Sequence, residues 1–292
     1  MTKIERINQA LLSFYEGRSV SKHLEEAIQY SIQAGGKRIR PLLFLELLEG
    51  YGATLDVSAY QTAASLEMVH TGSLIHDDLP AMDNDDYRRG VLTNHKVYGE
   101  AEAILAGDSL FLDPFTLLMQ TNYPDKTKVA LALALSQASG TYGMVGGQSL
   151  DMASEGELID RSRLEAIHSH KTGKLLQFPF VAVGIVLELS SVERNALYEA
   201  GRLLGLAFQI RDDILDVTAD FNSLGKTPNK DVVEEKATYP SLLGLEHSYQ
   251  LLNETLDQVL KEQEKFSSTG EFSSPTFISL VEGLRLDDKR TC

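Results

Sequence analysis

The chain is almost without cysteine: Cys292, at the last position, is the only one among 292 residues. That excludes an internal disulfide framework and a thiolate-rich zinc site, and it fits a reducing compartment. Cations are scarce as well. There are 27 Lys and Arg against 42 Asp and Glu, a formal charge of −15, which argues against nucleic acid or an anionic membrane as a partner. Long apolar runs are missing. The longest, such as Val181 to Leu187, are far too short to span a bilayer, and the opening Met-Thr-Lys-Ile-Glu-Arg-Ile-Asn-Gln-Ala has no apolar core for a signal peptide. The terminal position of Cys292 also argues against a prenylation box, so a cytoplasmic protein with no membrane span is expected. Strand-like alternation is nowhere sustained, and the expectation is an all-α chain whose 43% hydrophobic content is ample for a core.

Two acidic clusters stand out. From Ser73 to Gly90 the chain crowds Asp77, Asp78, Asp83, Asp85 and Asp86 together and follows them with Arg88 and Arg89. Like charges at such separations disfavour ionisation unless a cation joins them, whereas a solvated acidic loop would be the plain alternative. On a straight helix Asp77 and Asp83 point roughly 120° apart. Pro80 is expected to kink or end the helix and let the later carboxylate swing round. The second cluster, Asp212, Asp213 and Asp216, needs no such device, because Asp212 and Asp216 share one face of a regular helix.

Helical spacing of Ile4, Ile7, Leu11 and Phe14 predicts a first helix stopping near Gly17, and a second runs from about Ser21 to Gly35-Gly36, which read as a helix C-cap. Lys37, Arg38 and Arg40 then cluster before a third helix begun by Pro41. Three cations in four residues of an acidic chain point to an anion, with Arg38 the most structural of them. One long helix is expected from about Asp56 to Leu79, ending on Asp77 and Asp78, where carboxylates oppose the helix dipole. Further helices are predicted over 100–121, 124–145 and 160–187, and a Ser190/Glu193 capping box opens one that runs to Asp216. Gly140, Gly143, Gly146 and Gly147 lack the ending of a nucleotide phosphate loop and read as close helix packing. Helical patterns resume at Tyr239 after a polar stretch containing Lys226 and Lys236, and a Ser-rich loop from Phe266 to Pro275 precedes a last helix.

These clusters, with Gly-Gly-Lys-Arg-Ile-Arg-Pro near the start and Leu-Thr-Asn-His, Ala-Ile-Leu-Ala-Gly-Asp, Gly-Gly-Gln-Ser-Leu-Asp, His-Lys-Thr-Gly-Lys and Phe-Gln-Ile-Arg-Asp-Asp between, resemble the trans-isoprenyl diphosphate synthases, in their bacterial farnesyl diphosphate synthase branch. The resemblance covers nearly the whole chain. It implies a single domain over residues 1–292, a bundle of long helices around a deep central cavity, in a homodimer. It also implies three magnesium ions, with Asp77 and Asp83 as ligands of two, Asp78 supporting, and Asp212 as ligand of the third helped by Asp213 and Asp216. Arg88, Lys171 and Lys226 would grip the allylic diphosphate. Lys37, Arg40, His70 and Arg89 would form the isopentenyl diphosphate pocket, although His70 could equally be a packed core histidine. Thr172 and Gln209 would face the carbocation, and Lys236 matches a position near the substrate. Gln148 and Asp151 match without a role.

Two rivals remain on the residues: a class I terpene cyclase, and a non-catalytic cation-binding helical protein. A cyclase has no isopentenyl diphosphate pocket, and the stretch from Asp83 lacks the glycine of an EF-hand loop. Product length in the resembling family is set about one helical turn before the first acidic motif, where Gly72 and Ser73 stand. Relatives often carry a bulky aromatic at the position of Gly72. Its bareness means either close packing or extra cavity; the second predicts farnesyl diphosphate with some geranylgeranyl diphosphate, and suppression of the longer product by Gly72→Tyr.

Overall fold

The computed structural model describes residues 1–17, 20–218, 237–266 and 272–286, and nearly all of its regular structure is helical. The chain divides into two compact units, one of residues 1–45 and 54–132, the other of residues 46–53 and 133–292.

In the first unit α1 (Lys3–Tyr15) begins with a capping box between Thr2 and Glu5 and buries Ile7, Leu11 and Tyr15. The buried stripe thus ends on Tyr15 instead of Phe14. Helix α2 (Lys22–Gln33) is capped by Ser21, buries Ala27, Ile28 and Ile32, and stops where Gly35 turns left-handed. Helix α3 (Ile39–Gly50) follows. Asp56 caps α4 (Val57–Asp77), which is buried around almost its whole circumference, as expected of a helix enclosed by others. It packs on α1 and on α6 (Glu100–Met119), which is preceded by the short α5 (Asn94–Tyr98).

Helix α4 ends three residues before Pro80, because the residue preceding a proline is pushed out of helical conformation and the chain must already be turning. A feature that apolar patterning did not announce follows it: Tyr87–Arg88 (β1) pairs antiparallel with Val91–Leu92 (β2). Arg89 and Gly90 both have positive φ, the requirement of a tight two-residue hairpin turn. Tyr30 Oη donates to the Leu92 carbonyl, and Asn94 Nδ2 donates to the Ala27 carbonyl at 2.7 Å and to Ser31 Oγ at 2.8 Å, so the hairpin is pinned to α2.

Helix α7 (Asp125–Ser139) leads into the second unit. The single helix expected over 124–145 breaks at Gly140 and resumes as α8 (Met144–Met152), since Gly140 and Gly143 favour the turn. The helix expected over 160–187 is α9 (Arg161–His168), a π turn over Ser169–Gly173, and α10 (Lys174–Val186). The Ser190–Glu193 capping box opens the longest helix, α11 (Ser191–Thr218). Helices α12 (Tyr239–Leu243), α13 (Leu245–Gln263) and α14 (Pro275–Glu282) follow. Phe180, Phe266, Phe272 and Phe277 interlock with ring centroids 5.2 to 6.5 Å apart in this unit's core. Each such ring removed from water contributes about 1.5–3 kcal/mol.

Candidate active site

The first acidic motif is a folded-back helix end. The Asp83 N–H donates to the Asp77 carbonyl at 2.9 Å and the Asn84 N–H to the Leu79 carbonyl at 3.1 Å, with Asn84 left-handed. Asp83 is thereby returned to the end of α4 by a backbone loop that follows the helix end, the second of the two outcomes expected of Pro80. Asp77 and Asp83 are both half-buried. Asp78 is 3% exposed, and burial raises its carboxyl pKa to about 6 in spite of the neighbouring guanidinium of Arg88. Arg88 holds it closely: Nε donates to Asp78 Oδ1 at 2.6 Å, Nη2 lies 2.5 Å from the same oxygen, and Asp85 Oδ2 is 3.5 Å away.

The basic loop serves a different end. Gly35, Gly36 and Arg38 all have positive φ, and Arg38 is held there by the Ile32 carbonyl, Asn8 Oδ1 at 2.9 Å and Glu67 Oε1 at 2.7 Å. The Arg38–Glu67 pair is 1% exposed on both sides, so Arg38 is structural and the loop is rigid. Its anchoring leaves Lys37 exposed and Arg40 half-buried. Arg40 Nη1 lies 3.2 Å from His70 Nε2, which must accept, leaving the proton on Nδ1. Arg89, next in line after Arg88, turns the other way and donates to the Gly35 carbonyl. A Cβ on Gly36 would stand 2.7 Å from the Arg89 guanidinium carbon, so only glycine admits that side chain. Desolvation, then Arg40, Arg89, Arg88 and Arg38, lower the pKa of His70 and keep it neutral. The structure thus brings Arg40, His70 and Arg89 together beside Lys37.

In the second unit the π turn carries Lys171 and Thr172. Such turns insert one residue into a helix and recur at functional sites. Lys171 Nζ donates to Asp151 Oδ2 at 2.5 Å. Thr172 Oγ1 donates to Gln209 Oε1 at 3.0 Å, Gln209 Nε2 to Asp213 Oδ1 at 2.9 Å, and the Tyr239 N–H to Asp213 Oδ2 at 2.9 Å. Asp213 is buried and acts as the fixed end of this chain of bonds, orienting Gln209 and Thr172. Asp212, half-buried, lies one turn from Asp216. Asp216 is 2% exposed, and neither of its carboxylate oxygens has a hydrogen-bond partner among the described residues. A desolvated carboxylate in that condition calls for a cation. Among the described residues no three His, Cys, Asp or Glu side chains gather closely enough to hold a metal alone. A hard divalent cation that keeps waters and takes phosphate oxygens needs only one or two protein carboxylates.

Lys226 and Lys236 lie outside the described residues. Ser73 Oγ donates to the His70 carbonyl at 2.9 Å. Gly72 has no space beside it: a Cβ would meet Leu110 Cβ at 3.0 Å and the Gly107 carbonyl oxygen at 3.1 Å. The extra-cavity account of this glycine is therefore replaced by close packing of α4 on α6. Two contributors were silent in the sequence reading. Asp151 had no role there and Tyr239 figured only as a helix start; both act through neighbours distant along the chain, although the matching Gly-Gly-Gln-Ser-Leu-Asp segment already marked Asp151 out.

The polyprenyl synthetase family model matches residues 21–272. A farnesyl diphosphate synthase of Micrococcus luteus is 50% identical over 252 residues, 86% of either chain. Among solved structures, an FPP/GFPP synthase of Zymomonas mobilis superposes with TM-score 0.83 at 32% identity, covering 97% of each chain. A geranyltransferase of Helicobacter pylori complexed with magnesium and isoprenyl diphosphate superposes with TM-score 0.80 at 31% identity, covering 97% of this chain and 96% of that one. Helix order, acidic helix ends and near full-length similarity converge, and this all-α chain belongs to the polyprenyl synthetase family.

Proposed function

We propose that the chain condenses isopentenyl diphosphate with dimethylallyl and geranyl diphosphates and releases farnesyl diphosphate, working as one catalytic domain over residues 1–292. In this reaction the allylic carbon–oxygen bond breaks, diphosphate leaves, the double bond of isopentenyl diphosphate attacks the allylic cation, and a proton is lost to the released diphosphate. Arg88, Lys171 and Lys226 hold the allylic diphosphate, and Lys37, Arg40, His70 and Arg89 hold isopentenyl diphosphate, with Lys236 near the substrate. Thr172 and Gln209 turn oxygens towards the cation, where fixed dipoles stabilise developing charge. Asp77, Asp83 and Asp212, supported by Asp78, Asp213 and Asp216, are the proposed holders of three magnesium ions. Magnesium, when bound, supplies Lewis-acid stabilisation of the leaving diphosphate. The Asp216 oxygens, which have no hydrogen-bond partner among the described residues, support a cation at the second motif.

The observation that carries this reading is neutral His70 among four arginines, in contact with Arg40. An enzyme that only ionises and cyclises one diphosphate has no use for a second anion pocket. Ser73, one turn before Asp77, is retained as a residue affecting product length. A homodimer and a cytoplasmic location complete the proposal. Leu105, Leu112 and Met119 support the former: they recur every seventh residue on α6 and are 50%, 69% and 43% exposed, an apolar stripe in line along one helix face. A single cysteine suits the latter.

The test is incubation with magnesium, isopentenyl diphosphate and each allylic diphosphate, followed by chromatography of the dephosphorylated products. Farnesol is expected as the main product. Geranylgeraniol in its place would establish the runner-up, a geranylgeranyl diphosphate synthase, and the absence of any elongation would overturn the assignment. Asp77→Ala or Asp212→Ala should each lower turnover by at least about a hundredfold with circular dichroism unchanged.

A further inference from the structure

Helix α8 holds Lys171 at two points. Its Gly147 lies directly against the π turn, where a Cβ would stand 2.0 Å from the Lys171 backbone nitrogen and 2.6 Å from its Cα, so no other residue allows this approach. One helical turn further along α8, on the same face, Asp151 places Oδ2 at 2.5 Å from Lys171 Nζ. The pair is largely removed from water, with side-chain exposures of 26% for Lys171 and 18% for Asp151. A lysine carries four rotatable bonds and a compact charge, and on its own is a poorly oriented phosphate ligand. Here the backbone is fixed at one end and the ammonium at the other.

From this geometry we propose that Asp151 is a positioning residue for Lys171. Its carboxylate takes one of the three ammonium N–H donors and holds the side chain in place, so that the ammonium is presented in one orientation to oxygens of the allylic diphosphate. The inference rests on the functional reading above, in which Lys171 grips that diphosphate. It gives the Gly-x-x-x-Asp spacing of Gly147 and Asp151 a physical purpose: the glycine admits the backbone and the aspartate meets the tip.

A double-mutant cycle tests this. Asp151→Ala should lower kcat/KM for the allylic substrate about 10- to 100-fold, while KM for isopentenyl diphosphate stays within about twofold. In a Lys171→Ala background the same substitution should change allylic kcat/KM by less than about twofold, because the group it positions is gone. Asp151→Asn, which keeps the shape and an acceptor oxygen, should fall between wild type and Asp151→Ala, and it replaces the alanine variant if circular dichroism shows that variant misfolded. Titration calorimetry with inorganic diphosphate and magnesium gives a readout free of turnover: affinity should drop about tenfold on loss of Asp151. Equal losses in both backgrounds, an allylic kcat/KM within twofold of wild type, or an unchanged diphosphate affinity would each overturn the proposal. A wild-type chain that elongates nothing would overturn the functional reading, and the calorimetric result alone would then decide the role of Asp151.

Discussion

His168 shows how far a single buried group departs from its behaviour in water. It is 9% exposed, its ring lies 5.6 Å from that of Tyr239, and desolvation pushes its pKa down to about 3, with Lys171 adding to the effect and Asp151 opposing it. Below about pH 6.5 the unfolded chain takes up a proton that the folded imidazole refuses. Stability must therefore fall as pH falls, by about 1.4 kcal/mol per pH unit between roughly pH 6 and pH 3.5. His70, lowered for the same reason, adds in the same direction. Asp78, raised to about 6, is protonated earlier in the folded state and offsets part of the loss between about pH 6 and pH 4, the upper part of that range. In thermal melts at pH 7 and pH 5, His168→Phe should show a smaller drop between the two than wild type, by about 2 kcal/mol. An equal drop would mean that His168 is already charged when folded. At this scale the sequence was legible where chemistry crowds locally. The carboxylates of both motifs and the Lys37–Arg40 cations stood out because like charges within a few residues demand an explanation. His168 and Tyr239 did not, and Asp151 stood out only as a matching position without a role, since their significance comes from contacts with residues far along the chain.

Among the elements, long helices were legible and their interruptions were not. Helix α4 announced itself by a stretch from Asp56 to Leu79 free of proline and loop signals, and α11 by its capping box. The π turn left no pattern, because one inserted residue barely perturbs a 3.6-residue period and is set by what packs against it. The hairpin was hidden for a related reason: four paired residues are too few for alternation, and its turn depends on a non-glycine, Arg89, adopting positive φ. The α4–α6 contact carries the element-scale prediction. Alanine at Gly72 gains about 1 kcal/mol of helix propensity, but its Cβ must press on the Gly107 carbonyl, which belongs to a helix backbone and cannot yield. Overpacking of about 1–3 kcal/mol should win. Urea unfolding should show Gly72→Ala destabilised by about 1 kcal/mol, and Gly72→Tyr destabilised much further or unable to fold, instead of producing a folded enzyme with a shorter product. A stabilised Gly72→Ala would show that the two helices can part.

For the whole molecule, composition set the class and left the assembly to the surface. A net charge of −15 confines anion binding to a few built sites, and the apolar stripe on α6 is the region that such a charge would otherwise keep polar. Leu112→Glu should leave the melting temperature of the subunit nearly unchanged, since that side chain is 69% exposed, yet shift sedimentation from dimer to monomer by placing a charge where two copies would meet. Unaltered dimer in this variant would place the interface elsewhere. The pairing of Arg88 with Asp78 and of Lys171 with Asp151 has one more consequence. Arg88 and Lys171, two of the three cations proposed to hold the allylic diphosphate, each already have a tethered counter-ion, so they gather little chloride or buffer anion from solution. Diphosphate arriving there sets few small ions free, and its affinity should change far less with ionic strength than that of an open basic patch, whose attraction collapses as mobile salt accumulates around it.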